Sequence, residues 1–245
     1  MILVLSGEGT TDLGSCTNAL GQCSGDDLAI GPLTVLIDQI ITRLQGGRSV
    51  LANRERLYYA SESKLRERAK AFPSRLKPAR SKKREAETGY FFGNAVALGV
   101  IAKEIEAETG QNAIAVLHRD CDSTRSVQAG MWQIKHDSML DGFKFSRFPR
   151  GVPMLPKPTS EVWWLCAAQQ QPYQHCSRLE ELPGNQASPN HPKKKLDAAF
   201  GEHKSAAELC EWLDENPFDS VRAEAMPSFK AFKDELERVV NDLIH

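Results

Sequence analysis

The chain has 245 residues, 41% of them hydrophobic, enough for a substantial core, and its net charge of -1 excludes a uniformly basic or acidic binding protein. Residues 2–5 form too short an apolar run for a signal peptide, with no basic region before it and no small-residue cleavage pattern after it, and no segment approaches membrane-spanning length. The expectation is a cytoplasmic protein with no membrane association.

Residues 1–6 are a continuous apolar run stopped by Gly7-Glu8-Gly9, as a strand buried on both faces requires. Residues 14–31 read as loop, rich in Gly, Ser and Asp. Pro32 opens a helix whose stripe is Leu33, Leu36, Ile37, Ile40, Ile41 and Leu44, closed by Gly46 and Gly47. Residues 57–60 predict a second strand and 90–109 a helix ended by Gly110. The run 113–117 predicts a third strand leading into HRDCD; 124–140 is the next helix, 152–155 the fourth strand, and 160–170 a helix carrying Trp163 and Trp164. Two adjacent tryptophans on a helix point about 100° apart, so one of them is expected in the core and the other over a neighbouring surface.

After residue 171 the composition turns to Pro, Gln, Asn and Ser, and then 193–200, 206–216 and 228–244 read as helices, with Pro217 and Pro227 at the breaks. Strands alternating with helices predict an α/β fold of about four parallel strands with helical crossovers, in a domain spanning 1–170, and a mainly helical C-terminal extension over 171–245.

The six cysteines (Cys16, Cys23, Cys121, Cys166, Cys176, Cys210) include no CxxC pair, which predicts reduced, mostly buried thiols. His175, His191 and His203 lack metal-ligand spacing and read as loop and surface residues. Charge is concentrated in residues 64–84: Lys64, Arg66, Arg68, Lys70, Arg75, Lys77, Arg80, Lys82, Lys83 and Arg84 face a single acid, Glu67, so this window carries +9 and the remainder -10. Such an arm predicts contact with a nucleic-acid backbone; the plainer reading is a solvated linker broken by Pro73 and Pro78.

Ligands of parallel sheets bind beyond the carboxyl ends of the strands. Glu8 follows the first strand, and Asp120 and Asp122 follow the third. If those strands are neighbours, three carboxylates meet, and their repulsion requires a cation or a proton; all-oxygen ligation points to Mg²⁺ or Mn²⁺. Alternation puts Asp120 and Asp122 on one side and Cys121 on the other. Asp12 is either a fourth ligand or a helix cap.

GEGTTD and RDCD together resemble the Toprim domain shared by topoisomerases, bacterial primases and OLD-type nucleases. MLPKPTSEVWWLCA, NHPKKKLDAAFGEHKS and AMPSFKAFKDEL are similar to an uncharacterised Toprim-like bacterial family often encoded beside ATPases in defence clusters, and these segments span essentially the whole chain. The resemblance implies a Toprim-like fold and a metal site of Glu8, Asp12, Asp120 and Asp122. It adds Lys157, Glu161 and Lys204 as further catalytic candidates. The chain departs from the family pattern at Thr159-Ser160 and has no ATP-binding motif of its own.

The implied reaction is Mg²⁺- or Mn²⁺-dependent phosphodiester hydrolysis of DNA or RNA, as an antiviral effector beside an ATPase partner, with room for a homo-oligomer. Glu8 is either ligand or general base, and Lys157 or Lys204 offsets charge on the phosphate. The rival expectations are a non-catalytic Toprim-fold docking subunit and a small phosphoester hydrolase. Topoisomerase and primase activities would each need modules that the chain lacks.

Overall fold

The computed structural model describes residues 1–9, 11–71, 86–121 and 130–244. A five-stranded sheet has the order β3-β5-β1-β6-β7, formed by β3 (Gln22–Ser24), β5 (Leu57–Ala60), β1 (Ile2–Ser6), β6 (Ala113–His118) and β7 (Gly151–Met154). The pairs β1–β5, β1–β6 and β6–β7 are parallel. The four strands expected from sequence are therefore the parallel ones, and the sheet is mixed because β3 joins β5 antiparallel at one edge.

That edge strand corrects the loop expected over residues 14–31. The segment also holds β2 (Gly14–Cys16) and β4 (Leu28–Ile30), which pair antiparallel as a small ribbon. Each of these strands is three residues long, too short for an alternating pattern to show in the sequence.

The central strands are buried on both faces. Leu3, Leu5, Ile114 and Val116 face one core and Ile2, Val4, Ala113 and Ala115 the other, the two-sided burial that a parallel sheet requires. Against the second core lie α2 (Glu62–Ala71), α3 (Ala86–Thr109) and α4 (Met131–Phe145). In place of the helix expected over 124–140, α4 starts at Met131 after the left-handed Gly130 and runs on to Phe145; residues 124–129 lie outside the described ones.

Against the first core pack α1 (Pro32–Leu44), α5 (Glu161–Ala168), α6 (Pro192–Phe200), α7 (Ala206–Glu215) and α8 (Pro227–Ile244). The C-terminal helices share the core of the sheet: Phe229, Phe232, Leu236 and Val240 belong to the same cluster as Leu3 and Val116. Among the described residues no helix is long and apolar enough to cross a membrane.

This arrangement corrects two further expectations. Trp163 and Trp164 are both buried, at 0% and 2% exposure, because α5 is covered on more than one side. Trp163 stacks on Phe232 and donates its indole N–H to Ser228 Oγ at 3.1 Å, while Trp164 packs edge-on to Phe218. The cysteines are not all reduced thiols either. Cys16 is bonded to Cys23 and Cys166 to Cys176, with Cα separations of 5.7 and 5.2 Å. Separations of seven and ten residues leave no local sequence signature of pairing; the bridges arise because β2 and β3, and α5 and the turn after it, are brought together by the fold. Cys121 is buried in the second core, on the side expected.

Candidate active site

β1 and β6 are adjacent and parallel, with Ser6 opposite Leu117. Glu8 and Asp120 therefore each follow the carboxyl end of neighbouring strands. Glu8 is exposed. Asp122, the third carboxylate expected there, lies outside the described residues.

Asp12 is fixed by its backbone. Its carbonyl accepts the N–H of Leu33 in the first turn of α1 at 2.9 Å, and the next carbonyl, Leu13, accepts the Gly31 N–H at 3.0 Å and the Thr34 hydroxyl at 2.6 Å. Gly31 is obligatory in this packing, since a Cβ there would collide with the carbonyl oxygens of Thr11 and Asp12. The cap of α1 is Gly31, so the Asp12 side chain is no helix cap and faces the site.

Three carboxylates interact there. The Asp12 carboxyl is pushed up to about 6, first by burial and then by repulsion from Asp120 and Glu161, against a lowering influence of His118 and a long contact from the Ser160 hydroxyl at 3.5 Å. Asp120 accepts the Ser160 backbone N–H at 3.0 Å. Glu161 begins α5 directly after Ser160.

Beneath them is His118, the last residue of β6, fully buried. Burial lowers its pKa and holds the imidazole neutral, even though Asp12, Glu8 and Glu161 all favour the proton. Its Nε2 is 3.5 Å from an Asp120 oxygen, and neither ring nitrogen has a hydrogen-bond partner among the described residues. Sequence reasoning passed over His118 because a lone histidine at the end of an apolar strand reads as core. Its place directly before Arg-Asp-Cys-Asp was the available signal.

A cavity of about 170 Å³ opens beside Asp12, Ser160 and Glu161, and Lys193 and Asp197 of α6 and His203 and Lys204 of the α6–α7 connection also line it. Lys204 is thereby brought to the same cavity as Asp12 and Glu161. Lys157 follows β7, and its charge is felt by the buried Glu180. Of the basic arm, Lys64, Arg66, Arg68 and Lys70 lie on α2, where Lys64 pairs with Glu67 at 3.1 Å, Arg66 with Glu62 and Arg68 with Glu104. Arg75, Lys77, Arg80, Lys82, Lys83 and Arg84 lie outside the described residues.

Among the described residues no three His, Cys, Asp or Glu side chains form a ready-made metal cage. The donor set nevertheless suits Mg²⁺ or Mn²⁺. Carboxylate oxygens that repel one another around an uncharged imidazole gain most from a hard divalent ion, and Mg²⁺ is commonly held by one or two carboxylates together with substrate phosphate. Comparisons of the chain with protein-family models, with curated proteins and with solved structures find no match.

Proposed function

We propose that the chain is a Toprim-type, metal-dependent nuclease that hydrolyses phosphodiester bonds in DNA or RNA, as a defence effector working with an ATPase. The observation that carries this reading is the meeting of Asp12, Asp120 and Glu161 around His118 at the carboxyl edge of the parallel sheet, with Lys204 at the adjoining cavity. A bound Mg²⁺ or Mn²⁺ supplies charge neutralisation at a phosphoryl oxygen and an acidified water.

The chain's own residues prepare that site. Asp12 and Asp120 offer carboxylate oxygens for the ion, and Asp122 completes the sequence motif. The Ser160 N–H holds the Asp120 carboxylate in one orientation. Glu8 is exposed and acts electrostatically on His118, which supports a role as ligand or as general base toward water. Lys204 balances negative charge on the phosphate.

The test is incubation of the purified chain with DNA and with total RNA, in Mg²⁺, Mn²⁺ or EDTA, beside an Asp120→Asn variant. Cleavage that needs the metal and is lost in the variant supports the reading. Metal-independent cleavage, or full activity in the variant, refutes it. Absence of cleavage with intact ATPase binding would favour the docking-subunit alternative.

A further inference from the structure

The cavity beside Asp12 carries both signs of charge: Lys193 and Lys204 line it together with Asp12, Glu161 and Asp197, and Asp197 is engaged by His203 at 3.0 Å. Its lysines come from α6 and from the connection to α7. His191 caps α6 by accepting the Lys193 N–H at 3.2 Å, and Gly201, in the left-handed region at φ 79°, turns the chain after α6. Ser205 then starts α7 with a capping box to Glu208. The short connection returns the residue before this cap, Lys204, to the mouth flanked by Lys193.

Lys204 is not an ordinary surface lysine. Its side chain is only 21% exposed, and its ammonium lies 5.3 Å from the centre of the Phe200 ring. Its acidic neighbour, Glu202, is 3.4 Å away but 67% exposed, so solvent screens that pair. Lys193 makes no ion pair among the described residues. Pro32, Trp164 and Leu196, all buried, also line the cavity.

Size narrows the ligand. At about 170 Å³ the cavity is smaller than the roughly 300–1,000 Å³ that encloses a whole small molecule. It has room for a phosphate and its nearest ester atoms, and a volume of that size suits a group at a chain end better than a strand passing through. Lysines and carboxylates lining one cavity are satisfied together by an anion that arrives with a divalent cation.

We infer that this cavity, which Asp12 and Glu161 also line, is a binding site for a terminal phosphate held by Lys193 and Lys204. The role of the carboxylates rests on the metal-dependent reading above; that of the lysines does not.

The test is direct titration of the full chain, by calorimetry and by phosphorus-31 line broadening, with inorganic phosphate and with a short oligonucleotide with and without a terminal phosphate. Each is measured with and without Mg²⁺. Saturable binding of inorganic phosphate and of the terminally phosphorylated oligonucleotide is expected. Lys204→Gln should weaken both about tenfold or more, Lys193→Gln by less, and Lys204→Arg should keep most of the affinity. Circular dichroism and the unfolding midpoint confirm that the variants are folded. Phosphate affinity unchanged in the Lys193→Gln/Lys204→Gln double variant, or a lysine contribution equally large without the terminal phosphate, overturns the inference. Lysine-dependent phosphate binding in a protein that cleaves nothing would leave this site standing and remove the nuclease reading instead.

Discussion

The backbone N–H of Ser160 donates to the carboxylate of Asp120 at 3.0 Å, joining the first residue before α5 to the loop after β6. The contact comes from the main chain, so it survives loss of the Ser160 side chain. Asp120→Asn is expected to lower cleavage about a hundredfold or more by weakening a charged ligand, whereas Ser160→Ala should cost only a few-fold because Asp120 stays anchored. Rates of cleavage of a labelled substrate in Mg²⁺ decide this. Equal losses in the two variants would mean that the serine hydroxyl, not its N–H, organises the site.

Asp12 should make stability depend on pH in a defined window. Its carboxyl titrates near 6 in the folded chain, against 3.8 for the unfolded reference. Between these values the folded state binds more protons, so its stability falls as pH rises through that range and the loss is complete above it. In EDTA, Asp12→Asn should therefore be more stable than the parent at pH 7 to 8, by on the order of 2 kcal/mol after allowance for partial exposure, and no more stable near pH 3. Urea denaturation at several pH values measures it, and identical pH profiles for the two proteins would contradict the assignment.

Those two residues differed in how legible they were. The strands carrying Glu8 and Asp120 are short apolar runs cut off by polar motifs, and the structure pairs them side by side in parallel. Asp12 was equivocal because its position depends on hydrogen bonds that its carbonyl accepts from Leu33 and that the next carbonyl, Leu13, accepts from Gly31 and Thr34, about 20 residues away in sequence and invisible to local pattern. The same limit hid the cysteine pairs, the burial of both tryptophans and the presence of Lys204 and Glu161 at one cavity. Each depends on which elements become neighbours, and periodicity reports only which face of an element is apolar.

Trp163 is expected to matter for stability and not for chemistry. It is fully buried against Phe229 and Phe232, with its N–H satisfied by Ser228. Trp163→Ala should cost about 3–5 kcal/mol, and Ser228→Ala about 1–3 kcal/mol by leaving the indole N–H unpaired. Denaturant titration checks both. At a temperature where Ser228→Ala is fully folded, its cleavage rate should match the parent; a large loss there would give this cluster a functional role.

The basic arm is expected to contribute to binding, and three of its described cations on α2 are already paired. Lys64, Arg66 and Arg68 are already paired with Glu67, Glu62 and Glu104 on or beside α2, so releasing them to a phosphate backbone sacrifices an existing contact. Arg75, Lys77, Arg80, Lys82 and Lys83 follow in a window that contains no acid after Glu67. If the arm neutralises about five phosphates of a duplex, the slope of log affinity against log salt should be near -4 to -5. Replacing those five residues with Gln should remove most of that slope, while replacing Lys64, Arg66 and Arg68 should change it by much less than three phosphate contacts would. Cleavage of substrate already bound should persist in both variants, because the carboxylates lie on other elements. Fluorescence anisotropy over a salt series measures the slopes. A slope that is unchanged in the five-residue variant would assign the arm to a linker or to ATPase docking.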